Sequence, residues 1–317
     1  MFCYATTHCV LADHGNPKKI TVDILSPSPS NQQQELMSSL KFHLLEKHKI
    51  ELSDKLIFWQ KQVNWQAHIN NSDADYIVTI GQESLYKAMS QEPNRPILAL
   101  MVTAHTIDTF KQHDHPDIYA LTHEQPLVRY FALIKTLDVY QGQIGSFFNK
   151  HNQNYKQQYQ NVADFYNLPY KPIFANAKLQ TKDAIRELTF CCKILLHNSD
   201  AVYPPGKYRK SIMYSSYKHR LIVIGHSPSL LGEGAMLALF SQPYKIGEQA
   251  AQMLAHIEQN TLKQRYQYPQ QFEIEMNRRV AKLLGLSSLT LGQLIDKVNE
   301  LEYLYLQMEG INGKLGN

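Results

Sequence analysis

The stretch RLIVIGHSPSLLGEGAMLALFSQPYKIGEQAAQML, residues 220–254, decides the fold. It contains two short runs, RLIVIGH (220–226) and MLALFS (236–241), that are nearly continuous in apolar residues. Strands of parallel sheets, which are covered on both faces, have this pattern. A Gln-Pro break then leads into an amphipathic segment, and Pro243 suits the first turn of a helix. The stretch therefore predicts strand, strand and helix, as in an α/β protein.

Short apolar runs alternate with longer helical patterns along the rest of the chain. Alternation at this rhythm indicates βαβ crossovers and parallel sheets. Because so many strands fit two sheets more naturally than one, we predict two doubly wound parallel-sheet lobes. The further predicted strands are ITVDILS (20–26), DYIVTIG (75–81), PILALMV (96–102), DIYALT (117–122), QIGSFFN (143–149), KPIFANA (171–177) and DAVYPP (200–205).

The composition is that of a folded protein with a weak and dispersed charge. Of its 317 residues, 44 % are hydrophobic and 19 % are charged, which is typical of a globular chain. The formal net charge of +4 is spread along the chain, which argues against nucleic acid or an anionic membrane as a partner. No run of about 18 apolar residues is present, so we predict no membrane span.

The segment 1–18 is predicted to lie outside the folded lobes. Val10 and Ala12 form the small-residue pattern that signal peptidase accepts, so we interpret this segment as the end of an export signal whose upstream part precedes it. A disordered cytosolic tail is the alternative. Adjacent Cys191 and Cys192 lie in a helical pattern and are interpreted as unpaired core residues, because disulfide geometry disfavours bonding between neighbours.

The loops that follow the predicted strands hold the candidate binding residues. Ligands of parallel α/β sheets bind beyond the carboxyl ends of the strands, where loops and helix amino termini converge. Two interpretations remain open, because the polar residues found there cap helices and also donate hydrogen bonds into a crevice. We predict no catalytic residue, metal site or cofactor, since GxGxxG, P-loop, GxSxG and HExxH patterns are absent. The candidate ligand-binding residues are Ser26, Gln82, Glu83, Ser84, Thr103, His105, His123, Glu124, Asn149, Lys207, Tyr208, His226, Ser227 and Gln242.

The segment IGHSPSLLGEGAMLALFSQPYKIGEQAA carries a resemblance to a known family. With the strands before it and FEIEMNRRVAKLLGL after it, the chain resembles the substrate-binding proteins of bacterial ABC transporters, especially the branch that binds aromatic amino acids such as tryptophan. In that branch a strand ending in Gly-Ser-Asp precedes a Gly-Ala-Leu-Ala strand and a Tyr-Glu-Leu-Gly helix. The similarity covers residues 19–286 and is most specific over 200–285. QPYKIG also resembles related sugar-binding proteins, in which a Gln at the hinge contacts the ligand.

The resemblance implies a type I periplasmic binding fold, in which two α/β lobes are joined by three crossings of the chain. The ligand would sit between the lobes, and Gln242 would lie at one crossing, where it serves either the turn or the ligand. Gly247 would let the following helix approach its neighbours closely. The predicted segments are 1–18 before the lobes, 19–122 plus 243–268 for the first lobe, 123–242 plus 269–288 for the second, and 289–317 as a helical extension.

This chain departs from the family pattern at two binding positions. The branch carries an acidic residue where this chain has His226, and an Asp-Asn pair where it has Gly206 and Lys207. Glu83 and Glu124 could take the ammonium group of an amino acid instead. A basic crevice lined by Lys207, His105, His123 and His226 would suit an anionic or hydroxyl-rich ligand, so the identity of the ligand stays open.

The resemblance implies a periplasmic, monomeric, non-enzymatic protein that captures a small polar or aromatic molecule and delivers it to an ABC permease. The alternative is a sensor of the same fold that reports to a membrane signalling protein. The extension 289–317 has heptad-like Leu, Ile and Val spacing, so it either packs on a lobe or binds a partner.

Overall fold

The computed structural model describes residues 17–91, 93–113, 117–137, 142–148, 155–174, 178–197 and 207–315. The predicted export signal, the predicted strand at 200–205, Asn149 and the side chains of Lys207 and Tyr208 lie outside the described residues.

Strands and helices alternate through most of the described chain. The strands are β1 Lys18–Ser26, β2 Ile50–Phe58, β3 Tyr76–Ile80, β4 Ile97–Val102, β5 Ile118–Thr122, β6 Gln143–Phe148, β7 Tyr170–Phe174, β8 Cys192–His197, β9 Ile222–Gly225, β10 Leu237–Phe240, β11 Tyr266–Gln267 and β12 Glu273–Met276. The helices are α1 Asn31–His48, α2 Trp65–Asn70, α3 Gln82–Met89, α4 Ala104–His113, α5 Leu127–Thr136, α6 Lys156–Phe165, α7 Lys178–Cys191, α8 Lys207–Lys218, α9 Ser229–Glu233, α10 Pro243–Glu258, α11 Arg278–Leu283 and α12 Leu291–Leu315.

The first lobe is a parallel sheet with the strand order β11-β5-β4-β3-β1-β2. Its central strands are apolar on both faces because helices cover both. Ile24 of β1 is fully buried on the face that α1 and α10 cover, and Leu25 is fully buried on the face that α2, α3 and α4 cover. A strand whose successive side chains enter two different cores must read as a continuous apolar run.

The second lobe repeats this arrangement with the strand order β12-β10-β9-β8-β6-β7. Its strands are parallel except for β12, which runs antiparallel to β10. The prediction of two α/β lobes built on parallel sheets is therefore confirmed, and β12 adds an antiparallel strand to the edge of the second sheet. The first five strands of each lobe, taken in chain order, are arranged in the same order across their sheet. The two lobes therefore share one topology.

The sequence prediction misses three strands of the described chain, namely β2, β8 and the two-residue β11. Strand β2 was not expected, because it lies at the sheet edge and alternates buried with exposed residues instead of being apolar throughout. The sequence of β8 continues the helical pattern around Cys191 and Cys192, whereas in the structure α7 ends at Cys191 and the strand begins at Cys192. The two cysteines, expected to be unpaired, are joined by a disulfide at this change from helix to strand.

Helix α10 packs closely on α1, as the glycine in its first turns predicts. Pro243 is its first residue, which confirms the expected start. A Cβ atom at Gly247 would collide with the Leu36 carbonyl oxygen and lie 2.8 Å from Ser39 Cβ. Only glycine allows the two helix backbones to come this close, so the expectation for Gly247 is confirmed.

The chain passes between the lobes at three places in the described residues, namely 123–126, 241–242 and 268–272. Beyond the last of them, helix α12 packs on α5 and β12 of the second lobe. Leu294 and Val298 of α12 are buried in the core of that lobe. Of the two interpretations of the extension, packing on a lobe is the one observed.

Candidate functional site

Residues that follow the carboxyl ends of strands in the two sheets meet between the lobes, in the region that is called the cleft below. Tyr155, which precedes α6 of the second lobe, places its hydroxyl 3.2 Å from Nδ1 of His105 in α4 of the first lobe. The same hydroxyl donates a hydrogen bond of 2.8 Å to Oδ2 of Asp108, also in α4. These contacts place His105, which is a predicted site residue, where the lobes meet.

On the first-lobe side of the cleft, Trp59 links the end of β2 to the start of α3. Ser84, in the first turn of α3, is fully buried, and its Oγ accepts a hydrogen bond of 3.0 Å from Nε1 of Trp59, just beyond β2. The ammonium group of Lys87 lies 4.5 Å from the centre of the Trp59 ring. Ser84 holds the indole at the carboxyl edge of the sheet, where Ser26, the last residue of β1, is also buried.

Two other predicted residues of this wall hold the start of α4 in place. Oγ1 of Thr103 accepts a hydrogen bond of 3.2 Å from the backbone N–H of Thr106, as a helix cap does. Oε2 of Glu124, which is buried, accepts a bond of 2.8 Å from the backbone N–H of Ala104. Both side chains therefore stabilise the start of α4. This agrees with the interpretation that polar residues after the strands cap helices.

The second-lobe wall places a histidine at the end of β9. The imidazole Nδ1 of His226 lies 3.2 Å from the backbone oxygen of His197, at the end of β8, and the two rings are 5.5 Å apart. The next residue, Ser227, has its Oγ 2.8 Å from Oγ of Ser229 and accepts a hydrogen bond from the backbone N–H of that residue, so it stabilises the turn that leads into the short helix α9.

The environment of His226 keeps its imidazole neutral. Burial lowers the pKa of His226 to about 4, and the positive charges of His123 and Arg209 act in the same direction, against the His197 carbonyl, which raises it. A carbonyl only accepts, so the neutral ring donates from Nδ1 and presents Nε2 as an acceptor. His123 likewise places Nδ1 3.2 Å from the backbone oxygen of Val102.

Gln242 lies at the crossing between β10 and α10, as expected. Its side chain does not cap α10, and its Nε2 donates a hydrogen bond of 2.8 Å to Oε2 of Glu273 in β12. The amide therefore joins the second crossing to the strand that follows the third. The hydrogen bond to Glu273 gives Gln242 a structural role at the turn. Contact of Gln242 with a ligand stays a prediction.

The structure thus brings together part of the predicted set. His105, His123 and His226 lie on the cleft walls, while Thr103, Glu124 and Ser227 serve helix ends. Gln82 and Glu83 occupy the first turn of α3, where Gln82 lies near Tyr86 and Glu83 is exposed. Lys207 and Tyr208 begin α8. Sequence reasoning missed five residues at the cleft or beside it: Trp59, Asp108, Tyr155, His197 and Arg209.

The described residues also form a groove outside this cleft. A groove of about 380 Å³ runs between α10 and the residues around β11, and no predicted site residue lines it. No group of three or more metal-ligating side chains is found in the described part of the chain. Within that same part, none of the helices combines the length and the apolar character needed to cross a membrane.

Comparison with known proteins identifies the fold. No family model matches the chain, and no curated protein matches its sequence. A substrate binding protein with adhesive properties from Clostridium difficile, in its ligand-free open form, is similar with a TM-score of 0.66 and 14% identity, over 86% of this chain and 96% of that one. A conserved domain protein from Vibrio cholerae gives 0.58 and 17%, over 88% and 98%. The ABC domain from Streptococcus pneumonia in complex with L-Trp gives 0.57 and 10%, over 84% and 95%. The chain therefore has the two-lobed type I periplasmic binding fold that its sequence predicts.

Proposed function

We propose that this protein is an extracytoplasmic solute-binding protein that captures a small polar or aromatic molecule between its lobes. The observation that carries the proposal is the contact of Tyr155 with His105 and Asp108, which brings the carboxyl edges of two parallel sheets together. In such sheets the carboxyl edges are where ligands bind. A solute that touches both lobes stabilises the closed form by its differential affinity, so binding and hinge closure are linked.

The chemistry of the cleft favours a ligand that donates hydrogen bonds and has a flat or apolar face. The neutral imidazole of His226 presents an acceptor, and the Trp59 ring offers a surface for stacking. An amino-acid ammonium group is less well served, because Glu124 and Asp108 already accept hydrogen bonds from Ala104 and Tyr155. One similar protein was solved in complex with L-Trp, which supports including indole-like solutes among the candidate ligands.

A ligand screen tests this function. Thermal unfolding is followed with amino acids, nucleosides, sugars, polyols and small anions, each at millimolar concentration. We expect at least one compound to raise the melting temperature and to reduce the radius of gyration in small-angle scattering, because only the closed form contacts it on both sides. Asn substitution of His226 would weaken that compound, while Asn substitution of the exposed His219 is the matched control. A broad panel without stabilisation or compaction would count against solute binding.

We also propose that the protein is a periplasmic monomer without catalytic activity that delivers its solute to an ABC permease. The fold supports this role, which requires hinge closure and no reacting group. A sensor that reports to a membrane signalling protein is the alternative, since it uses the same hinge. Co-purification with a permease from detergent-solubilised membranes in the presence of the identified solute supports delivery, and capture of a membrane kinase or cyclase supports sensing.

A further inference from the structure

The three passages of the chain between the lobes are joined by side chains as well as by the backbone. Gln125, in the first passage, donates a hydrogen bond of 2.7 Å from Nε2 to Oγ of Ser241 in the second. Ser241 in turn donates its hydroxyl hydrogen to the backbone oxygen of Gln271 in the third. A change in the angle between the lobes must therefore move three segments that are bonded to one another.

Arg129, in the first turn of α5, is at the centre of these contacts. Only 6 % of the residue is exposed. Its Nη1 donates to Oε1 of Gln125 and, over 2.9 Å, to the backbone oxygen of Pro269. Its Nη2 reaches the backbone oxygen of Gln270 at 3.5 Å. One guanidinium group thus holds the first and third passages in register.

The charge of this buried guanidinium is balanced from the C-terminal helix. Glu302 of α12 accepts hydrogen bonds of 2.7 Å from both Nε and Nη2 of Arg129, so the pair is bidentate. The ring of Phe272 lies 4.6 Å from the guanidinium carbon. A buried charge that loses its partner is strongly destabilised, so Arg129 depends on Glu302 to keep its position among the hinge carbonyls. The bidentate geometry also sets the plane of the guanidinium.

We propose that Glu302 is a positioning residue of the hinge: through Arg129, helix α12 sets how readily the two lobes move relative to each other. The extension then acts as a brace that is anchored in the core of the second lobe and reaches the passages between the lobes. The consequence for solute affinity rests on the proposed function, whereas the effect on the hinge does not. The inference is therefore testable without any solute.

Hydrogen–deuterium exchange of the full chain tests the proposal with Glu302→Ala and its matched control, Glu300→Ala. Glu300 lies on the same helix and is exposed, so both variants make the same change in charge and in helix propensity. In Glu302→Ala we expect peptides covering 268–272 and 241–242 to exchange about tenfold faster than in the wild type, the factor for losing a hydrogen-bonded charge. Peptides of α1 should exchange alike in all three proteins. Small-angle scattering should show a broader range of lobe separations in Glu302→Ala alone.

Two results would overturn the proposal. One is equal exchange at the passages in Glu302→Ala and Glu300→Ala. The other is faster exchange throughout the second lobe of Glu302→Ala, which would make the ion pair a support of the lobe and not of the hinge. If Glu302→Ala does not fold, Glu302→Gln, which keeps an oxygen for Arg129, must still give faster exchange at the passages than Glu300→Gln. Because no solute is present, these results are independent of whether a ligand is ever found.

Discussion

At the scale of single residues, His226 makes the stability of the protein depend on pH. Its pKa is lowered to about 4, mainly by burial, from the ordinary 6.5 that the unfolded chain has. The unfolded state therefore binds the proton more readily. The contribution of His226 to the free energy of unfolding is fully present above about pH 6.5 and falls as the pH is lowered towards 4. Since the ring is partly exposed, we expect this one group to contribute about 2 kcal/mol of that loss.

Urea unfolding between pH 7.5 and pH 4.5 measures this effect in His226→Asn. The Asn amide can still donate to the His197 carbonyl but does not titrate, so the variant should lose less stability on acidification than the wild type. His219→Asn is the control, because His219 is exposed and also bonds a backbone oxygen, that of Ser215. Burial lowers the pKa of His43 and His48 too, so all three proteins share that part of the acid sensitivity. Parallel pH curves for His226→Asn and the wild type would contradict the prediction.

The residues of the candidate site could be predicted from the sequence only where their strand was recognised. His105 and His226 follow apolar strands and were found by position. Trp59 was missed because β2 before it is a half-polar edge strand, and His197 because β8 was merged with the preceding helix. The sequence does not distinguish residues that contact a ligand from residues that cap a helix. Thr103 and His105 follow the same strand, and only the structure shows that Thr103 caps α4 whereas His105 contacts Tyr155.

At the scale of elements, the contact of α10 with α1 depends on the absence of one side chain. In Gly247→Ala the new Cβ would meet the Leu36 carbonyl oxygen, which is backbone and cannot rotate away. We expect the helices to separate and the free energy of unfolding to fall by about 1–3 kcal/mol, the usual cost of overpacking. Gly292→Ala in α12 is the control, because a Cβ there has no neighbour within 4 Å. The control should be neutral or slightly stabilising in the same denaturant titration; equal effects of both changes would argue against close packing.

The order of elements was more predictable than their boundaries. Largely apolar runs identify β1, β3, β4, β9 and β10. Side chains of β1, β3, β4 and β9 enter two different cores, so few of their positions are polar. The disulfide between Cys191 and Cys192 lies where helix turns directly into strand without a loop residue, so no turn signal marks the boundary. Boundaries of this kind are set by packing in three dimensions and carry no local code.

At the scale of the whole molecule, the bond between the lobes sets how closed the protein is without a solute. The Tyr155 hydroxyl is the group that joins α6 to Asp108 and His105, and a hydrogen bond to a charged acceptor contributes about 1.5–3 kcal/mol. Tyr155→Phe removes that hydroxyl and keeps the ring. We therefore expect the ratio of open to closed molecules to rise about tenfold or more, and the radius of gyration in small-angle scattering to increase. Tyr217→Phe, at an exposed position, should leave the radius unchanged. If both variants scatter like the wild type, the Tyr155 hydroxyl does not control closure, and the brace formed by Arg129 and Glu302 becomes the next element to test.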